Sequence, residues 1–133
     1  WVTIFPEKIY WSISHKKDVI FIAVSETPIG IDLEIWKKRD ISLLETFSVE
    51  EYFLFWEKKW ENFYKLWTIK EAIIKKYHLK LDDMPKIILK KNTLTSQSIW
   101  GLDFQYEIDF TWYFGVWKVF SGEKNNEYYS ICK

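Results

Sequence analysis

The residues of this chain best suited to chemistry fall in two short stretches. In Ile29-Gly30-Ile31-Asp32-Leu33-Glu34-Ile35, apolar and polar residues alternate at the period of a strand. Ile29, Ile31, Leu33 and Ile35 therefore share one face, and Gly30, Asp32 and Glu34 the other. Two carboxylates at i and i+2 project side by side as a floor for a cation, and Gly30 carries no side chain to keep a ligand from the backbone. Taken alone, the same pair also reads as the solvent face of an edge strand.

The second stretch is Trp67-Thr68-Ile69-Lys70-Glu71-Ala72-Ile73-Ile74-Lys75. Helical periodicity runs from about Asn62 to Tyr77, with Phe63, Leu66, Trp67, Ile73, Ile74 and Tyr77 in one apolar stripe and Lys70 in its middle. Glu71 and Lys75 sit on the edge of the stripe, one turn apart, where their charged ends reach whatever the stripe packs against. Plainer readings exist for each. Thr68 and Glu71 fit a capping box, although a helix starting at Thr68 would strand the periodicity from Phe63 onward. Glu71 and Lys75 also form a favourable surface pair, and Lys70 can snorkel to solvent.

The elements that must position these residues follow from the rest of the chain. Trp1 to Glu7 is a short apolar opening broken by Pro6, with no role assigned. Ile9 to Ser14 reads as a strand, Lys16-Lys17-Asp18 as a turn and Val19 to Val24 as a buried β-branched strand. Glu26-Thr27-Pro28 leads tightly into the Asp32 strand, so those last two strands are expected to form an antiparallel hairpin. Trp36-Lys37-Lys38-Arg39-Asp40 is a cationic loop. Ser48 and Glu51 make a capping-box start for a helix reaching about Lys59, followed by the motif helix, which ends near His78 before Asp82-Asp83-Met84-Pro85. Strands are expected at Lys86 to Lys91, Phe104 to Phe110, Val116 to Phe120 and Tyr128 to Cys132. The fold class is therefore α+β, a mainly antiparallel sheet with two helices packed on one face.

Composition narrows the function. With 133 residues, 20% of them aromatic, and only four Gly and three Pro, the chain is expected to be a single domain, 1–133, with a sizeable core. Nineteen basic residues balance nineteen acidic ones, which leaves no global field for a polyanion and argues against nucleic-acid binding. Cys132 is the one cysteine, no Cys/His cluster has zinc spacing, and no apolar run reaches membrane-spanning length. No signal peptide is read at the start, so the expected setting is the cytoplasm, away from membranes. The sequence starts at Trp1 without a methionine, which is read as the mark of a processed, trimmed or incomplete piece.

Gly30-Ile31-Asp32 followed by Trp67-Thr68-x-Lys70-Glu71-Ala72-x-x-Lys75 resembles the signature of the 4′-phosphopantetheinyl transferases. Glu34 and the upstream Ser12-Ile13-Ser14-His15 make it most similar to the surfactin-synthetase-type branch, from about Tyr10 to about Lys91 and more loosely beyond. The resemblance implies Mg²⁺-dependent transfer of the phosphopantetheine arm of coenzyme A to a serine of an acyl- or peptidyl-carrier protein. Asp32, Glu34 and Glu71 would be the metal ligands, Glu71 and Lys75 the catalytic residues, and Ser14, His15, Lys70 and Lys75 the contacts to coenzyme A. The basic, apolar loop after Trp36 would meet the acidic carrier.

Members of that branch are a fused pair of similar lobes, and this chain resembles little more than the second. Three explanations stand open: a first lobe outside this sequence, identical chains that rebuild the cleft together, or a reduced relative. The alternative function is a non-catalytic module that binds coenzyme A or a carrier protein, with a purely structural domain behind it.

Overall fold

The computed structural model describes residues 8–112 and 115–133, so the opening at Trp1 to Glu7 lies outside the described residues. The chain runs β1 (Tyr10–Lys16), β2 (Val19–Ser25), β3 (Gly30–Ile35), a 3-10 turn (Ile41–Thr46), α1 (Val49–Phe53), α2 (Trp60–Tyr77) and a second 3-10 turn (Leu81–Lys86). Four strands complete it: β4 (Ile88–Ile99), β5 (Leu102–Trp112), β6 (Gly115–Lys124) and β7 (Glu127–Cys132). The architecture is α+β, with antiparallel pairing throughout: a two-stranded sheet β1-β2 and a five-stranded sheet in the order β3-β7-β6-β5-β4.

Helix α2 is the axis of the core. Leu66, Ile69 and Ile73 are wholly buried, as are Ile108, Phe110 and Val119 from the sheet. Each such side chain contributes about 1.5–3 kcal/mol through burial. The helix is buried around most of its circumference, because the sheet covers one side while Phe47, Tyr52, Phe55 and Met84 from the short helical segments cover the other. Its last turn closes on His78 in the left-handed region, whose N–H bonds the Ile74 carbonyl.

The helix expected from Ser48 to Lys59 is shorter than its sequence suggests. The Ser48 and Glu51 capping box forms, but α1 stops at Phe53, and Trp56 turns back with a positive φ of 78°. Asn62 then stitches the turn, its Nδ2 donating to the Phe55 and Glu57 carbonyls at 3.0 and 2.7 Å.

The expected β2–β3 hairpin is not formed. β2 pairs with β1, in a register that sets Trp11 opposite Val24 and Ile13 opposite Ile22, while β3 pairs with β7 at the edge of the larger sheet. β1 crosses β3 through side chains instead of a backbone ladder: the Ser12 Oγ accepts from the Ile31 N–H at 3.1 Å and the Ser14 Oγ from the Leu33 N–H at 3.0 Å. Nor is β2 buried on both faces. Trp11, Ile13, Ile20, Ile22 and Val24 form one face of the hairpin and are 45–68% exposed. β-Branched composition sets the strand conformation, but a lone hairpin has only one face to give to this chain's core.

Candidate functional site

The site is built where β3 lies against α2. Gly30 makes the contact possible, since a Cβ there would collide with the Ala72 carbonyl oxygen and the Lys76 amide nitrogen. The bare backbone expected to admit a ligand therefore admits a helix, and the motif's Gly30 and Ala72 explain each other. This close approach sets the polar face of β3 beside the Glu71 and Lys75 edge of α2. Ile13, Ser14, His15, Lys16, Asp32, Glu34, Trp67, Glu71 and Lys75 line one cavity of about 300 Å³. The capping-box reading of Glu71 falls, because α2 starts at Trp60.

Asp32 and Glu34 are each 5% exposed, which removes the solvent-face reading. Their partners are cations: Lys75 Nζ stands 3.1 Å from Asp32 Oδ1, and Lys16 Nζ 3.2 Å from Glu34 Oε1, with Arg39 at 3.8 Å from Glu34 Oε2. The Ser14 hydroxyl donates to Asp32 Oδ1 at 3.1 Å. Lys75 also donates to the Ile13 carbonyl at 3.1 Å, tying the helix to β1. The far oxygens, Asp32 Oδ2 and Glu34 Oε2, are buried without a hydrogen-bond partner.

Burial pushes the Asp32 carboxyl up to about 7, against the pull of Lys75 and with Glu34 and Glu71 adding to the rise. Glu71 is likewise held above its ordinary value, chiefly by burial, with Lys75 opposing. The cluster is thus a buried acidic floor, whose carboxylates are disfavoured as anions chiefly by their loss of water.

A divalent cation would offset that burial cost by favouring the charged form. Two buried carboxylate oxygens without donors, with a third carboxylate on the same cavity, are the hard oxygen set that magnesium takes, and the open side leaves room for water and phosphate oxygens. As they stand, no group of three or more His, Cys, Asp or Glu among the described residues is closed tightly enough to hold a metal ion. The donor chemistry fits.

The other expected contacts divide. Ser14 and His15 line the cavity, Ser14 with its hydroxyl already engaged by Asp32 and His15 exposed at the rim. Lys70 does not reach it. Its ammonium, 2% exposed, lies 2.5 Å from Glu51 Oε2 and 3.3 Å from the Met84 carbonyl, with the Phe47 ring 5.4 Å away. An ammonium in the middle of an apolar stripe was satisfied from the side where α1 packs. This corrects the expectation of a phosphate contact there and also excludes snorkelling to solvent.

Sequence reasoning missed Lys16, Arg39 and the placement of Trp67. Lys16 was legible, since it continues the Ser12 and Ser14 face of β1 at i+2. Arg39 comes from the loop after Trp36 and carried no such signal. Another buried cation was missed elsewhere: Lys65, 3.2 Å from Glu123 Oε1 and 3.3 Å from the Tyr106 hydroxyl.

The α+β fold is consistent with a phosphopantetheinyl transferase-like lobe, and sequence comparison gives the family. A family model for the 4′-phosphopantetheinyl transferase superfamily matches residues 28–132, and the chain belongs to that superfamily. It is similar to the 4′-phosphopantetheinyl transferase gsp of Aneurinibacillus migulanus, 38% identical over 72 residues, which cover 50% of this chain and 30% of that protein. It is also similar to the 4′-phosphopantetheinyl transferase psf-1 of Bacillus pumilus, 37% identical over 71 residues, again 50% of this chain and 30% of the relative. The matched region thus spans less than a third of the length of these relatives.

Proposed function

We propose that the chain takes part in Mg²⁺-dependent transfer of the 4′-phosphopantetheine group from coenzyme A to a serine of an acyl- or peptidyl-carrier protein, with release of adenosine 3′,5′-bisphosphate. The observation that carries this reading is the meeting of Asp32, Glu34, Glu71 and Lys75 at one cavity, with two buried carboxylate oxygens lacking donors. In the reaction the serine oxygen bonds to the phosphorus of the pantetheine arm, the bond to the bisphosphate oxygen breaks, and the serine proton leaves to a base. Such chemistry asks mainly for positioning and charge neutralisation.

Asp32, Glu34 and Glu71 would hold Mg²⁺, which supplies charge neutralisation at the pyrophosphate. Lys75 holds a phosphate oxygen or protonates the leaving group, and His15 and Lys16 supply positive or donor groups at the rim. Glu71 would take the serine proton, directly or through a water.

The exposed face of Trp11, Ile13, Ile20, Ile22 and Val24 ends at His15, on the rim of the cavity. A further lobe or a second copy packed there would wall the site, and so large an apolar face calls for a cover. Sedimentation of the chain at micromolar concentrations reads whether copies associate. The loop after Trp36, with Lys37, Lys38 and Arg39, would meet the acidic carrier. The setting is the cytoplasm, where coenzyme A and carriers occur together; no helix among the described residues is long and apolar enough to cross a membrane.

The test is mass spectrometry of an apo-carrier protein after incubation with the chain, coenzyme A and Mg²⁺. A gain of one phosphopantetheine, abolished by Glu71→Gln in a folded protein, is expected; transfer undiminished by Glu71→Gln would end the mechanism. A second reading, a non-catalytic module that binds coenzyme A or a carrier, draws on the absence of a closed metal cluster among the described residues. Calorimetry separates the two. Coenzyme A binding that requires Mg²⁺ belongs to the enzyme, and binding indifferent to it to the module.

A further inference from the structure

We propose that Lys75 is the place-holder of the cation site: its ammonium and the divalent ion compete for Asp32, so that metal loading frees Lys75 to turn toward the phosphates. The inference rests on reading Asp32, Glu34 and Glu71 as the metal set. Asp32 Oδ1 has Lys75 Nζ at 3.1 Å, while Asp32 Oδ2 is buried with no donor. A divalent ion drawn to this carboxylate comes within a few ångströms of the ammonium, where like charges in a half-buried setting repel strongly. One of them must move.

Lys75 can move and its surroundings admit it. Its side chain is 30% exposed against 7% for Asp32, and its remaining bond is to the Ile13 carbonyl. Lys75 also lines a second cavity, of about 520 Å³, between β1 and the end of α2, bordered by Ile13, Ile74 and His78. The two cavities share Ile13 and Lys75, so the side chain stands on the wall between them and swings without disturbing the core. Glu34 is balanced in the same way by Lys16, whose side chain is 40% exposed. The acidic floor is therefore kept from repelling itself by partly exposed lysines until a metal replaces them.

The experiment uses the full chain at pH 8.5 without coenzyme A. Calorimetry with MgCl₂ establishes binding, and amine-reactive labelling read by peptide mass spectrometry follows Lys75 with and without saturating Mg²⁺, exposed Lys90 serving as the internal control. Lys75 labelling is expected to rise and Lys90 to stay constant. Lys75→Met, which removes the competitor, should bind Mg²⁺ about tenfold more tightly, and Lys75→Arg, which keeps it, should not. Unchanged Lys75 labelling at saturating Mg²⁺, or a Lys75→Met protein that binds no more tightly, overturns the exchange. Absence of Mg²⁺ binding to the parent chain overturns the metal reading beneath it, a separate outcome.

Discussion

Lys70 and Lys75 belong to one motif on one helix, yet they sit in opposite electrostatic situations. On the Lys70 side the cation is sealed: 2% exposed, paired with Glu51 and capped by the Met84 carbonyl. On the Lys75 side the carboxylate is the buried partner, 7% exposed, and the lysine the exposed one, at 30%. A pair whose cation is buried between a carboxylate and a backbone carbonyl holds elements together. A pair whose anion is buried and whose cation is the exposed partner leaves that cation open to solvent. The same residue type thus serves as scaffold on one side of α2 and as part of the site on the other.

That contrast can be broken by substitution. The largest loss of stability is expected from Lys70→Met, about 3 kcal/mol by denaturant titration, because Glu51 is left facing the core without its counter-ion. An effect smaller than that of Lys75→Met would invert the comparison. Gly30→Ala should cost about 2–3 kcal/mol, since the added methyl meets the backbone of α2 and must lift the helix from β3. It should also weaken Mg²⁺ binding by separating Asp32 from Glu71. Lys75→Met should cost only about 1 kcal/mol in chelator, because Asp32 can take up a proton when its partner is lost.

The finest distinction lies in the pH dependence of the metal-free protein. Asp32, raised by burial to about 7, binds its proton more tightly in the folded state. Its stabilising contribution is fully present below about pH 4 and is lost as pH rises through about 7. Asp40 and Asp83, lowered by hydrogen bonds to Ser42 and Lys80, act below about pH 4 and in the opposite sense. Thermal melts in chelator should therefore fall by a few degrees between pH 4 and 7, and Asp32→Asn should flatten that slope. A slope unaltered in Asp32→Asn would show that other groups set it.

Much of the fold could be read from local pattern. The period of α2, the alternation of β3 and β5 and the Ser48 capping box all appear where the residues suggest, because each depends on neighbours a few positions apart. Helix α1 ran short of its expected end because Trp56 and Asn62 build a turn through contacts that no periodicity records. The β2–β3 hairpin was misread for a similar reason: tight connections favour pairing of adjacent strands, but Ser12 and Ser14 gave β3 a different neighbour. Within the site, Asp32, Glu34, Glu71 and Lys75 were recognisable from spacing and resemblance and Lys16 was legible from the alternation of β1, whereas Arg39 was visible only once the loop after Trp36 had been laid against β3.

By itself the sequence determined which residues share a face of a strand or a helix, and the superfamily to which the chain belongs, since both are written in residue type and interval. Only the tertiary structure decided that Gly30 receives a helix, that Lys70 is closed off with Glu51, and that Asp32 and Glu34 are buried beside Lys75 and Lys16. Those outcomes depend on what distant segments bring to a charge. An ion pair is fixed by distance and desolvation in three dimensions, and the linear order of residues specifies neither.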